Sequence, residues 1–420
     1  MRNLLVLAFS LLLSATLSAQ TSFDEVCADL NKAGGVYLAY PEPTVRLTPP
    51  PKGYHPFYIS HYGRHGSRYL IGDRDYRWVM DALHDADSCG VLTPLGYDVL
   101  SRLQQLWPDV EGRGGDLTPV GVRQHQGIAK RMYANFPEVF KGRRKVSARS
   151  TVVPRCAMSM VACGDELKSL APQLDISYEM SQKYMDYLNY HTALSNVFTD
   201  SNNGPWVGEY RQFEAAHVKP QRLMQSLFTD DGYVRQHIDG TNFMWGLYWI
   251  AVDMQDIDTH LSFYDLFTPS ELFDLWQCVN YRFYVGNANH KDGNGIVVAN
   301  ARHLLCDIIE QADKAIKDGE MAVTLRFGHD GNIIPLLAIL HIENFDVAVS
   351  KPENLYKYWS DFKAAPMAAN VQIVFYRNSR GNILVKFLHN EREVHIPVKT
   401  DSFPYYSWQD VRQFYTNELK

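Results

Sequence analysis

Apolar and polar positions alternate in short runs toward both ends of the chain and fall into helical spacing between them. Residues 56–60 (PFYIS), after the proline-rich stretch 40–53, predict an extended lead-in followed by a strand. Residues 92–96 and 117–121 read LTPLG and LTPVG, and each predicts a helix capped by threonine with proline at its first position. After the second, Val122, Ala129, Met132 and Phe136 share one face. Residues 145–150 predict a strand running into a helix with Ser150 as its cap. From about 175 to 310 the pattern turns helical and aromatic, with Tyr184, Tyr187, Tyr190, Trp206, Trp245, Trp249 and Trp276. There Thr268 and Glu271 form a capping box ahead of Leu272, Trp276, Val279 and Phe283. Residues 322–327 predict another strand, followed by a polar turn and a helix, and 371–390 a hairpin around NSRGN. Strands alternating with helices at both ends predict an α/β fold: a mostly parallel sheet flanked by helices, over 20–170 and 311–420, with an inserted α-helical domain at 171–310.

The first 19 residues change the picture of where the protein works. One positive charge, Arg2, precedes an apolar stretch from Leu4 to Leu13 and small residues up to Ala19, the pattern of a cleaved secretory leader. That stretch is short for a membrane span, so the expectation is a periplasmic or secreted protein without stable membrane insertion. The net charge of −6, one unit more negative once Arg2 leaves, excludes general attraction to nucleic acid. An anionic ligand therefore needs a local basic pocket. Six cysteines are scattered without a C-x-x-C, so although some could pair in an exported protein, they are no framework for a chain of 420 residues. Cys156 and Cys163, about two helical turns apart, are too distant to bridge.

Candidate chemistry gathers at three strand ends. The first predicted strand ends in His61–Arg68 (HYGRHGSR), the second in Arg149, and that at 322–327 in His329-Asp330. In open α/β sheets ligands bind beyond the carboxyl ends of parallel strands, so the three clusters are expected to meet. The basic run 141–145 (KGRRK) lies at the opposite strand end and reads as a solvated loop. An imidazole with one free ring nitrogen, His65, is suited to attack phosphorus, and arginine forks suit the phosphoryl oxygens: Arg64, Arg68 and Arg149. Gly63 and Gly66 are expected to let the backbone turn tightly and approach the ligand. Asp330 would protonate the leaving alkoxide, with His329 as a further cation. Each piece has a plain alternative: R-H-G and H-D-G also fit ordinary turns, with Asp330 or Asn332 as a helix cap. His61 and His65 do not read as a metal pair, since i,i+4 histidines converge on a helix and not across a strand end, and no metal or cofactor is expected.

In combination RHGSR, ARSTVVPRCAMSM and GHDGN resemble the histidine acid phosphatases of the phytase-containing branch, and the likeness extends over most of the mature chain, through residues 117–140 and 365–376. YANFPEVF and QKYMDYLNY are most similar to the multiple inositol-polyphosphate phosphatases, including bacterial secreted members. HDGN departs from the His-Ala-Glu of that subgroup toward the His-Asp phytases. The resemblance implies a phosphohistidine at His65, a phosphate clamp of Arg64, Arg68 and Arg149, assistance from His329, proton donation by Asp330 and support from Arg155. It further implies an α/β domain plus an α domain with the substrate in the cleft between them, no metal, and an inositol-phosphate or related small-molecule ester as partner. Lys183, Arg211, Lys219 and Lys291 are candidates to meet further phosphates. Alternatives are a general acid phosphatase on sugar phosphates or bisphosphoglycerate, a phosphoryl-transferring mutase, and a non-catalytic phosphate-ester receptor.

Overall fold

The computed structural model describes residues 22–420, and the predicted leader, 1–19, lies outside the described residues. Strands β1 (His55–Arg64), β2 (Lys145–Ser150), β3 (Asp175–Met180), β4 (Met321–Gly328), β5 (Asn370–Arg377), β6 (Ile383–His389), β7 (Arg392–Glu393) and β8 (Tyr406–Ser407) form one mixed sheet. The order is β3-β2-β4-β1-β5-β6-β7, with β8 on β6. β3, β2, β4 and β1 run parallel, and the remaining pairings are antiparallel, the β5–β6 hairpin among them. The expected α/β class is the one observed.

Register decides where the site forms. Arg64 pairs with Gly328 and Ser150 with Phe327, so β1, β2 and β4 end side by side at one level. Helices flank both faces: α1 (Arg74–Ser88), α2 (Pro94–Val110), α3 (Pro119–Asn135), α4 (Pro154–Leu170), α5 (Gly240–Asp253), α6 (Pro269–Asn287), α7 (Arg302–Asp318) and α8 (Asp330–Ile339). Successive strand side chains point to opposite faces, which splits the core in two. Ile59, Leu325 and Phe327 pack with Ala129 and Met132 of α3 and Met160 and Cys163 of α4. Tyr58 and Tyr62 pack with Leu304, Leu305 and Ile308 of α7, in a core that continues through α5 and α6. Burial of this apolar surface is the main stabilising term.

The threonine caps form as the sequence predicts: Thr93 accepts from the Gly96 amide and Thr118 from the Gly121 amide, each ahead of a first-turn proline. The capping box of Thr268 and Glu271 opens α6. Three expectations differ. β1 runs on to Arg64, so His61–Arg64 lie inside the strand. Ser150 is the last residue of β2 and donates to the Thr151 carbonyl, while α4 starts four residues later with Val153 at its cap. The boundary expected at 170/171 is crossed in both directions: β3 is the edge of the core sheet, whereas α1 packs against α5 and Thr93 of α2 bonds to Leu227. No helix among the described residues is long and apolar enough to cross a membrane, and all six cysteines are unpaired.

Candidate active site

His65 stands just beyond the end of β1, and its backbone is tied on both sides. Its amide donates to the Gly328 carbonyl of β4 (3.0 Å) and its carbonyl accepts from the Ala368 amide (2.9 Å). The ring is buried, and Nδ1 donates to the Gly66 carbonyl at 2.9 Å, since a carbonyl can only accept. That bond places the proton on Nδ1 and leaves the Nε2 lone pair free. Burial lowers the His65 pKa well below the usual imidazole value, and Arg64, Arg155, Arg68 and His329 lower it further. The imidazole is thus held toward its neutral form, with Nε2 free to act as a nucleophile.

The turn after His65 is held by α3. Gly66 and Gly121 approach so closely that a Cβ on Gly66 would lie 2.6 Å from the Gly121 carbonyl oxygen, and one on Gly121 2.3 Å from that of Ser67. Both glycines therefore serve packing of the LTPVG helix against the RHGSR loop. Neither Gly63 nor Gly66 has a positive φ, and the space in front of Gly63 is filled by the His61 ring, not by ligand space. Thr118 clasps the Ser67 carbonyl through its amide (2.9 Å) and hydroxyl (3.1 Å). Gln124 exchanges hydrogen bonds with the Ser67 amide and hydroxyl, and Ser159 of α4 accepts from the Gly66 amide at 3.1 Å.

Guanidinium groups and a second imidazole surround the ring. Arg64 is fully buried: Nη1 donates to the Val36 and Ala365 carbonyls, and Nη2 pairs with Asp330 Oδ2 at 2.9 Å. Arg68 donates to the Tyr69 carbonyl (2.8 Å) and the Tyr37 hydroxyl (2.9 Å). The His329 ring centroid lies 5.7 Å from that of His65, its Nε2 is 3.2 Å from Thr151 Oγ1, and its pKa is brought down to about 4, by burial first. At Asp330 burial favours the neutral acid, but Arg64, His329 and Arg68 outweigh it and hold the carboxyl below its usual value. Buried Nε–H groups of Arg64, Arg68 and Arg155 have no hydrogen-bond partner among the described residues. Three guanidiniums with unpaired buried donors around one neutral imidazole fit a bound anion.

Arg149 is not brought there. Residues of β2 alternate between faces, and Arg149 shares the α7 face with its register partner Arg326. Its guanidinium pairs with Glu179 at 3.0 Å, donates to the Tyr187 hydroxyl at 3.2 Å and lies over the Tyr184 ring. Arg155, not Arg149, is among the leading charges that lower the pKa values of His65 and His329. Arg155, in the first turn of α4, therefore occupies the place that sequence reasoning gave to Arg149. The strand period of two carries this signal: buried Val146, Ala148 and Ser150 put Arg149 on the other face.

The extra-phosphate candidates do not gather at His65 either. Lys183 lies over Tyr184, Lys219 donates to the Ala215 carbonyl, Arg211 is exposed, and Lys291 borders a separate surface pocket with Lys351. In the run 141–145 the loop is largely exposed as expected, except that Arg144 donates to the carbonyls of Phe57 and Met321. Two buried groups were not singled out from the sequence. Asp256 accepts from Ser67 Oγ, and Asp253 accepts from Tyr76 at 2.5 Å; each keeps one buried oxygen unpartnered. Burial raises both pKa values, that of Asp253 to about 7.

The family model described as histidine phosphatase superfamily (branch 2) matches residues 64–390. Among solved structures, the multiple inositol polyphosphate phosphatase of Bifidobacterium longum, in complex with inositol hexasulfate, superposes with a TM-score of 0.77 at 19% identity, covering 93% of this chain and 98% of that one. The phytase from D. castellii gives 0.69 at 16% identity, over 93% and 85%, and the apo phytase of Hafnia alvei 0.55 at 14%, over 89% and 98%. None of the curated proteins matches this sequence.

Proposed function

The chain belongs to branch 2 of the histidine phosphatase superfamily, and from that membership and the site we propose an exported phosphomonoesterase that hydrolyses inositol polyphosphates and related phosphate esters through a phosphohistidine at His65. The observation that carries the reading is the His65 ring itself: its proton is committed to the Gly66 carbonyl, its other nitrogen is free, and cations surround it. The leader-like sequence at 1–19 supports export, and the phytase and inositol-polyphosphate phosphatase neighbours support the substrate class.

Each group then has a task. The phosphoryl oxygens take the free donors of Arg64, Arg68 and Arg155, whose charges are set in place before the reaction. Nε2 of His65 attacks phosphorus in line, forming the N–P bond as the P–O bond to the leaving group breaks. The departing alkoxide needs a proton, which Asp330 supplies. Asp330 is ionised in the free site because Arg64 holds it so. A bound ester brings negative charge to the same guanidiniums, weakens their hold on the carboxylate and raises its proton affinity. Substrate binding thus loads the donor. The Asp330 carboxylate left after the first step can accept a proton from the water that cleaves the N–P bond and regenerates His65.

Purified protein is expected to release phosphate from inositol hexakisphosphate with a chelator present. Asp330→Asn is expected to slow an alkyl phosphate by roughly 10²–10⁴-fold and an aryl phosphate, whose leaving group hardly needs a proton, far less. Equal losses on both esters would remove Asp330 from the donor role.

A further inference from the structure

Ser67 stands between Gly66, whose carbonyl receives the His65 proton, and Arg68 of the phosphate clamp. It is fully buried, and each of its polar atoms is bonded. Its carbonyl accepts from the Thr118 amide and hydroxyl, and its amide donates to Gln124 Oε1 at 2.9 Å. Its hydroxyl oxygen meets two groups, Gln124 Nε2 at 2.7 Å and Asp256 Oδ1. Gln124 belongs to α3, while Asp256 lies in the helical turn Met254–Asp256 that follows α5. Segments far apart in sequence thus close on one residue beside the nucleophile.

The proton directions in this group follow one from another. A backbone N–H can only donate, so the oxygen of the Gln124 amide must face the Ser67 amide. The Gln124 NH2 group then faces Ser67 Oγ and donates to it. The hydroxyl's own proton goes to its other partner, Asp256 Oδ1. The Gly66 carbonyl and the Ser67 N–H belong to one planar trans peptide and point to opposite sides of the chain. The amide oxygen that holds this N–H therefore also aims the Gly66 carbonyl at His65 Nδ1, 2.9 Å away.

We propose that Asp256 is a positioning residue for the nucleophile. By taking the Ser67 proton it holds the Gln124 amide in the orientation that fixes the Gly66–Ser67 peptide. That peptide in turn keeps the His65 proton on Nδ1 and leaves Nε2 free to attack. Without an acceptor at position 256, the Ser67 hydroxyl turns to Gln124 Oε1, the acceptor already beside it. The amide then turns over and sets Nε2 against the Ser67 N–H, donor against donor, in a site closed to water. The peptide loses its anchor, and the ring loses its single tautomer. This role rests on the phosphatase reading above and deepens it, since part of the catalytic alignment then comes from the helical insert.

Nitrogen NMR of ¹⁵N-histidine-labelled protein, with His65→Ala to identify the signals, reads the tautomer without turnover. Wild type is expected to show His65 protonated at Nδ1 alone, and Asp256→Leu, which removes the acceptor at similar volume, a mixture of both tautomers. In steady-state hydrolysis of 4-nitrophenyl phosphate, Asp256→Leu should lose about 10²-fold in kcat, as a reacting group displaced by about 1 Å does, with KM within about threefold. Asp256→Asn removes the charge but keeps an acceptor oxygen, so kcat should stay within about threefold of wild type. The double variant Ser67→Ala/Asp256→Leu leaves no buried hydroxyl without a partner and should recover about tenfold or more in kcat over Asp256→Leu. Gln124→Met frees the same peptide from the α3 side, should give the same mixture and loss, and decides the matter if Asp256→Leu does not fold. The proposal is overturned if wild-type His65 carries its proton on Nε2, or if the Nδ1 tautomer persists alone in folded Asp256→Leu or Gln124→Met. It is equally overturned if Asp256→Asn loses as much as the leucine variant, or if the double variant recovers nothing. If wild-type protein hydrolyses no phosphate ester, the phosphatase reading fails, and the nitrogen signals still decide the role of Asp256.

Discussion

Replacing the two arginines of RSTVVPR separates the geometry seen here from the sequence expectation. Arg155 is half-buried in the first turn of α4, keeps a buried Nε–H without a partner, and acts on both His65 and His329. Arg155→Ala removes one preset donor to the phosphoryl group as its charge redistributes, which is worth roughly 10²–10³ in kcat, or about 3–4 kcal/mol. Arg155→Lys keeps the charge and loses the fork, so its loss is intermediate. Arg149 pairs with Glu179, a residue whose side chain is 39% exposed, and such pairs contribute about 0–1 kcal/mol to stability. Arg149→Ala is therefore expected to keep kcat/KM within about threefold. The assay is steady-state hydrolysis of 4-nitrophenyl phosphate, with the melting temperature of each variant as the control for folding. A second readout is specific to charge. Arg155 is one of the groups that lower the His65 pKa, and kcat/KM needs the neutral ring, so the acid limb of the pH profile should move to higher pH in Arg155→Ala. The reasoning is refuted if Arg149→Ala loses as much as Arg155→Ala, or if Arg155→Ala stays within threefold of wild type with an unmoved acid limb.

Two further outcomes test the scaffold around the nucleophile. A carboxyl whose pKa is higher in the folded than in the unfolded state binds its proton more tightly when folded, so it costs stability as pH rises through that window. For Asp253, raised from 3.8 to about 7, the window runs from about pH 4 to pH 7. Asp253→Asn should therefore gain melting temperature over wild type as pH is raised across this window, and a difference independent of pH would contradict it. Gly121→Ala sets two effects against each other: helix propensity favours alanine by about 1 kcal/mol, whereas its Cβ would lie 2.3 Å from the Ser67 carbonyl oxygen. Backbone contact is expected to win, with a net destabilisation of about 1–3 kcal/mol in denaturant unfolding and loss of activity in the folded fraction; a more stable, fully active variant would refute it.

Local chemistry made much of the fold legible. Thr93-Pro94 and Thr118-Pro119 announce helix starts because the cap and the fixed proline φ act within a few residues. Strand ends that carry Arg64-His65 and His329-Asp330 could be placed together because parallel strands bring their carboxyl ends to one edge. Arg149 and Arg155 were also separable, since a strand period of two and a helix beginning at Pro154 send them to different places. What stayed hidden depends on long-range packing. Tyr37 and Asp256 reach the RHGSR loop from segments 31 and 189 residues away, and nothing in their own neighbourhoods marks them. The same holds for the exchange across residue 170, where β3 joins the sheet and α1 joins α5 through contacts that no local pattern encodes.

Phosphoryl transfer through the free nitrogen of His65 is tested most directly by trapping the intermediate. Protein mixed with a ³²P-labelled ester and quenched in alkali within the first turnover should carry label that survives base and is lost in acid, as an N–P bond requires, and that maps to the peptide containing His65. His65→Ala should carry none. Label on another residue, or label of the same lability in His65→Ala, would contradict the mechanism.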